Sequence, residues 1–298
     1  MYESLINGDR GSVVTRSEQL ASPQDEAADL ARRRRYLTGF GAALGGPANV
    51  IMQLSLPPVG RGVVESVVES GSFTAHPVKR ARTTLTYLAV AMVGDEQDRA
   101  AFRAAVGTAH RQVRSGPDSP VRYNAFDPKL QLWVAACLYR GTLDSLTWLN
   151  GELDEDFADE LYRDSARFGT TLQVPDALWP ADCAAFAQYW DSMAESLSFD
   201  GEVRAYLLDQ VVGLGPYRRR TRFVFGRANR FFTTGFLPQW FRDELGLDWS
   251  PRRQRVFELL LRTAGRFLAV MPESVRMQPF DFYLADMRRR RGRGRNLI

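Results

Sequence analysis

The chain holds two histidines, His76 and His110, and the second lies where its spacing could do chemistry. In DRAAFRAAVGTAHRQVR (98–114), a helix of about 3.6 residues per turn puts Phe102, Val106, Ala109, His110 and Val113 on one stripe. Arg103, Arg111, Gln112 and Arg114 fall elsewhere. The stripe is apolar apart from the imidazole, so His110 is expected to face inward. An inward imidazole needs a partner for at least one ring nitrogen: a carbonyl, a carboxylate or a metal. The plain alternative is a hydrogen-bonded core histidine. A bare metal ion held by protein alone usually takes three or four ligands. The two cysteines, Cys137 and Cys183, lie far apart without metal-site spacing and read as buried thiols of a reducing compartment. A porphyrin brings four nitrogens of its own, so haem needs a single protein ligand, and this arithmetic favours haem over a bare ion.

A second candidate is RTTLT (82–86). Arg82, Thr86, Ala89 and Val93 follow at i, i+4, i+7 and i+11 and share a stripe that turns apolar within two turns. A guanidinium and a hydroxyl at its start suggest polar groups entering a cavity. The alternative is that Arg82 snorkels or pairs with an acid, while Thr86 bonds the carbonyl four residues back. No HExxH, CxxC, GxSxG or Walker pattern is present. Only His76 and His110 could act as the base of a hydrolytic triad, and neither accompanies a nucleophile turn, which argues against a hydrolase.

These residues must be positioned by helices. Helical patterns cover 25–40, 79–94 and 152–169, with further stretches at 180–198, 201–213 and 221–235. Gly45-Gly46-Pro47 is expected to open a helix that Pro57-Pro58 stops, followed by a short helix at 60–71. Asp127-Pro128 marks a clean helix start, an Asp N-cap with proline at the first position. Pro238 and Pro251 open two more. Strand signals are scarce, and there is no Gly-rich phosphate loop and no fixed-period repeat. The expectation is an all-α protein: a flexible arm over 1–24, one globular helical domain over 25–286 and a mobile basic tail over 287–298.

The chain has 298 residues, 45% hydrophobic and 25% charged, which is ordinary globular composition. The longest apolar runs, LAVAMVG (88–94) and LQLWVAACLY (130–139), fall far short of the roughly 20 residues of a membrane helix. The N-terminus lacks the basic-then-apolar pattern of a secretion signal, so a cytoplasmic location is expected, with a membrane-peripheral one as the secondary reading. All but two of the 39 basic side chains are arginine, the lysines being Lys79 and Lys129. Arginine clusters at 32–35, 218–222 and 288–295 could meet phosphates, but no DNA-binding helix pattern accompanies them and no nucleic-acid partner is expected. A weak contact of the Arg-rich tail with anionic lipid is the secondary reading.

Four segments in order carry a family resemblance: MQLSLPPVGRGV (52–63), HPVKRARTTLTYL (76–88), AHRQVR (109–114) and YNAFDPKLQLWVAACL (123–138). The chain resembles the MpaB / latex-clearing-protein (rubber oxygenase) family of haem proteins. The resemblance implies a globin-like helical core holding haem b, with dioxygen and a hydrophobic, isoprenoid-type substrate as reactants. Carried over by position, it implies His110 as the axial iron ligand and Arg82 and Thr86 as polar residues near the haem or the oxygen side. Glu65 or Glu69 would be the family's upstream carboxylate. Two departures stand out: VVESVVESGSF (63–73) has no histidine where members often carry His-Ser, and Ala135 stands where many have a histidine after Trp-Val. The rival reading is a haem or lipid carrier without turnover.

Overall fold

The computed structural model describes residues 23–66, 68 and 75–298. Glu69 and all but the last two residues of the expected N-terminal arm lie outside the described residues. Within them the protein is helical, with no strand and one isolated bridge between Arg114 and Asn124. The order is α1 (Pro23–Tyr36), α2 (Gly39–Leu54), α3 (Pro57–Val64), α4 (Pro77–Val93), α5 (Glu96–His110) and α6 (Pro128–Asn150). Then come α7 (Glu155–Ser165), α8 (Arg167–Thr170), α9 (Cys183–Met193) and α10 (Gly201–Tyr206). α10 runs into a π-helical turn, Leu207–Val212. The chain closes with α11 (Arg219–Phe236), α12 (Gln239–Leu245), α13 (Pro251–Val270), α14 (Glu273–Arg276) and α15 (Phe280–Gly292).

Local chemistry sets several of these boundaries. Asp127 caps α6 through the Lys129 amide, with Pro128 in the first turn. Asp95 and Asp98 form a reciprocal capping box at the start of α5. Two proline expectations are corrected. Pro47 does not open a helix but lies inside α2, and Pro57-Pro58 start α3 rather than only ending its predecessor. A mid-helix proline forfeits a bond, but α2 buries Ala48, Ile51 and Met52, and its Asn49 donates to the Cys137 carbonyl of α6. Packing therefore carries the helix through.

α6 is the spine. One side (Ala135, Ala136, Leu138, Tyr139) packs into a core shared with α4, α5, α9 and α15. The other (Trp133, Cys137, Leu149) packs with residues of α2, α10, α11 and α13. A helix buried on both sides reads as a continuous apolar run, which accounts for LQLWVAACLY. α13 crosses α6 at Gly265, where a Cβ would overlap the Leu149 carbonyl. Gly265→Ala is expected to destabilise the protein by about 1–3 kcal/mol, read as a lowered denaturation midpoint at unchanged slope.

The segment 287–298, expected to be mobile, is docked. α15 continues to Gly292, Arg288 and Arg291 grip the fully buried Asp98 at 2.6 and 2.9 Å, and Leu297 and Ile298 pack against the core. The charge run suggested a solvated tail. Its acidic partner is 190 positions away along the chain and lies in α5.

Candidate functional site

A cavity of about 790 Å³ opens between α2, α3, α4, α5 and α6, with further walls from the π-helical turn and the loop that follows it. Its lining is largely apolar, with Leu54, Val59, Leu88, Val134 and Leu138 among its walls, and this is the size and character of a ligand site. The His110 stripe faces it as the helical period predicts: Phe102, Val106, Ala109, His110 and Val113 all line the cavity. α5 ends at His110, so Val113 reaches the cavity from the following loop.

His110 is half-buried, and its Nδ1 is buried with no hydrogen-bond partner among the described residues. No described residue bonds the other ring nitrogen. Phe126 meets the imidazole edge-on at 6.1 Å between centroids. Burial, and then the charge of Arg80, lower its pKa from 6.5 to about 4. The imidazole is therefore neutral at physiological pH and free to offer a lone pair, the state a metal requires. The carbonyl-bonded alternative finds no bond here.

The cation beside it is Arg80, not Arg82. Arg80 is accessible, yet protein atoms surround it: what it is exposed to is the cavity. Burial lowers its pKa, partly offset by the Tyr206 phenol, and no described carboxylate pairs with it. Thr84, one turn further along α4, also lines the cavity and its hydroxyl has no described partner. Arg82 lies on the other side of α4, against Arg290, Asp286 and Tyr283 of α15, and Thr86 is buried and donates to the Arg82 carbonyl at 2.8 Å. Positions two apart on a helix differ by roughly 200°, so the two Arg-x-x-x-Thr pairs of α4 face opposite ways. Both registers turn apolar after two turns, which is why spacing could not choose between them. Thr86 follows the plain alternative.

Glu65 lies at the C-cap of α3, outside the cavity lining. It accepts from the Tyr123 hydroxyl at 2.9 Å and from Ser119 at 3.2 Å, and pairs with Arg61 at 3.5 Å. Tyr123 lines the cavity, so Glu65 acts on it through that phenol. His76 stands at the N-cap of α4, exposed and away from the lining. Among the described residues no group of three or more His, Cys, Asp or Glu could hold a bare ion.

The model of the family described as ER-bound oxygenase mpaB/B'/rubber oxygenase, catalytic domain, matches residues 33–266. The chain belongs to this family. The mpaB/rubber-oxygenase match spans α2 to α6 and so takes in every wall of the cavity named above, as well as His110 and Arg80. Two curated relatives are each 50% identical over 252 residues, covering 84% of this chain and 98% of their own length. They are named uncharacterized protein Mb2261 of Mycobacterium bovis and uncharacterized protein Rv2237 of Mycobacterium tuberculosis. No solved structure matches, so the helical fold stands on the structure itself and the globin-like arrangement is not established. Among the described residues no helix is long and apolar enough to cross a membrane. Of the chain's two departures within this oxygenase family, Ala135 is fully buried in the core and does not line the site, whereas Val63, Val64, Ser66 and Val68 of the other stretch do line the cavity.

Proposed function

We propose that the cavity would hold haem b with His110 as the residue that ligates its iron, and that the protein is an oxygenase acting on a hydrophobic, isoprenoid-type substrate. The observation that carries this reading is the neutral imidazole of His110, with a buried and partnerless Nδ1, on the wall of a large apolar cavity. The residues fit the group: one nitrogen ligand, apolar walls that keep water from the ring, and a cation with no carboxylate of its own. When bound, haem supplies one-electron and dioxygen chemistry. The chain supplies the rest. His110 stays unprotonated because burial and Arg80 both oppose its imidazolium. Arg80 offers its guanidinium to an anionic group in the cavity, a propionate or a substrate carboxylate, since it lines the cavity and no described carboxylate pairs with it. Thr84 can orient a small polar molecule by its hydroxyl. The apolar walls hold a hydrocarbon chain and exclude water from it.

The test is haem titration of the purified protein, followed by oxygen uptake with polyprenyl substrates. A Soret band at one haem per chain and substrate-dependent uptake support the reading; failure to bind haem removes it. Arg80→Gln is expected to weaken haem retention roughly tenfold while the band position stays in place, because a propionate partner and not the iron ligand is lost. Unchanged retention in apomyoglobin competition would remove Arg80 from that role. A second reading, a haem or lipid carrier without turnover, is favoured by the missing accessory histidines at 63–73 and Ala135. Haem binding without oxygen uptake would select it.

A further inference from the structure

The N-terminal half of α11 presents three consecutive exposed apolar side chains. Phe223, Val224 and Phe225 are 87%, 62% and 59% exposed. Arg218, Arg219, Arg220, Arg222 and Arg227 surround them, all exposed. Among the described residues only Arg222 nears a carboxylate, Asp209 at 3.9 Å. The contrast with the C-terminal cluster is plain, because Arg288, Arg290 and Arg291 are spent on Asp95, Asp98 and Asp286. Apart from the long Arg222–Asp209 pair, these arginines form a cationic rim with no carboxylate partner among the described residues.

We propose that this half-helix docks the protein on anionic bilayers, with Phe223 and Phe225 entering the interface and the surrounding arginines on lipid phosphates. Three consecutive exposed residues wrap more than half the helix, roughly 200°. A protein groove takes a single stripe of a helix at i, i+3 and i+4, whereas a fluid interface accepts a band. A second copy of this chain would set the same five arginines against one another, which like charges oppose. An anionic membrane satisfies both features at once: apolar side chains reach the acyl boundary and guanidinium groups neutralise headgroups. The placement also serves the cavity. Leu214 and Tyr217, just before α11, and Asn229 within it line its wall, so docking brings that wall to the phase in which a hydrophobic substrate dissolves. The docking needs no cofactor and stands apart from the oxygenase reading.

The experiment is flotation of the full-length protein, without added haem, on vesicles of phosphatidylcholine alone or with about a third phosphatidylglycerol. Binding is expected only to the anionic vesicles. Phe223→Ser with Phe225→Ser should lower partitioning by more than about tenfold, and Arg219→Gln with Arg220→Gln by roughly twentyfold. All four side chains are exposed, so melting curves should not move. Anionic binding that survives both double variants would place the docking surface elsewhere and overturn the proposal. Sensitivity to the arginine pair but not the phenylalanine pair would reduce it to surface adhesion and overturn the insertion. A lipid-free dimer lost in the phenylalanine variant would assign the band to a second copy instead.

Discussion

His110→Ala is expected to abolish the Soret band of the haem-titrated protein, and free imidazole in the buffer is expected to restore it in part. The other histidine, His76, stands at the head of α4 outside the cavity, and neither cysteine lines it, so no described imidazole or thiol can take over. Even outer-shell changes around a ligating histidine lower metal affinity by roughly 10–100-fold, and loss of the ligand itself should exceed that. Truncation leaves room for a small imidazole beside the apolar walls, which makes rescue the sharper measurement. A full-strength band in the variant, with no response to imidazole, would show that some other group holds the iron. The same residue sets an acid limit. Its folded pKa of about 4 lies below the unfolded 6.5, so between these values the unfolded chain binds the extra proton and stability falls as pH falls. The loss approaches about 3 kcal/mol at the acid end, and the haem spectrum should hold steady down to that range before the ligand protonates. Denaturant midpoints across this window, compared with those of His110→Ala, isolate the contribution; parallel curves would show that His110 is not its source.

Replacing Arg288 and Arg291 together by methionine is expected to remove about 3–5 kcal/mol of stability. Asp98 is fully buried, and these two guanidinium groups are its charge partners, at 2.6 and 2.9 Å. Without them a carboxylate remains in the core with only the Asp95 amide, at 3.3 Å, to satisfy it. Methionine keeps much of each stem's packing, so the loss measures charge rather than volume. Asp98→Asn in the same background should recover part of the loss, because the neutral amide removes the stranded charge. A double variant as stable as the parent would mean that water reaches Asp98 and that the clamp adds little. Single variants should each lose less than half, since one arginine still neutralises the acid.

The legible parts of this fold are the local ones. Asp127-Pro128 announced α6 because its cap and first turn are set by two adjacent residues. The His110 stripe was readable because a helix repeats on a fixed period, and the cavity-lining residues of α5 follow it. What escaped depended on partners distant in sequence. Pro47 reads as a helix start until the burial of α2 against α6 is known. The arginines of 287–298 read as solvated until Asp98 is found beneath them. Arg80 and Arg82 differ by two positions in one helix, and only the placement of α5 on one side and α15 on the other decides which meets the cavity. Arg80 therefore had no signal of its own beyond sharing with Arg82 the same spacing to a threonine.

α4 is a party wall. Arg80 and Thr84 look into the chamber, while Arg82 lies against the last long helix of the chain, which is anchored at its far end to α5. A molecule filling the chamber presses on the same two turns that the carboxyl-terminal helix grips from behind. An occupant that binds more tightly while that helix is docked holds it down by that difference in binding free energy.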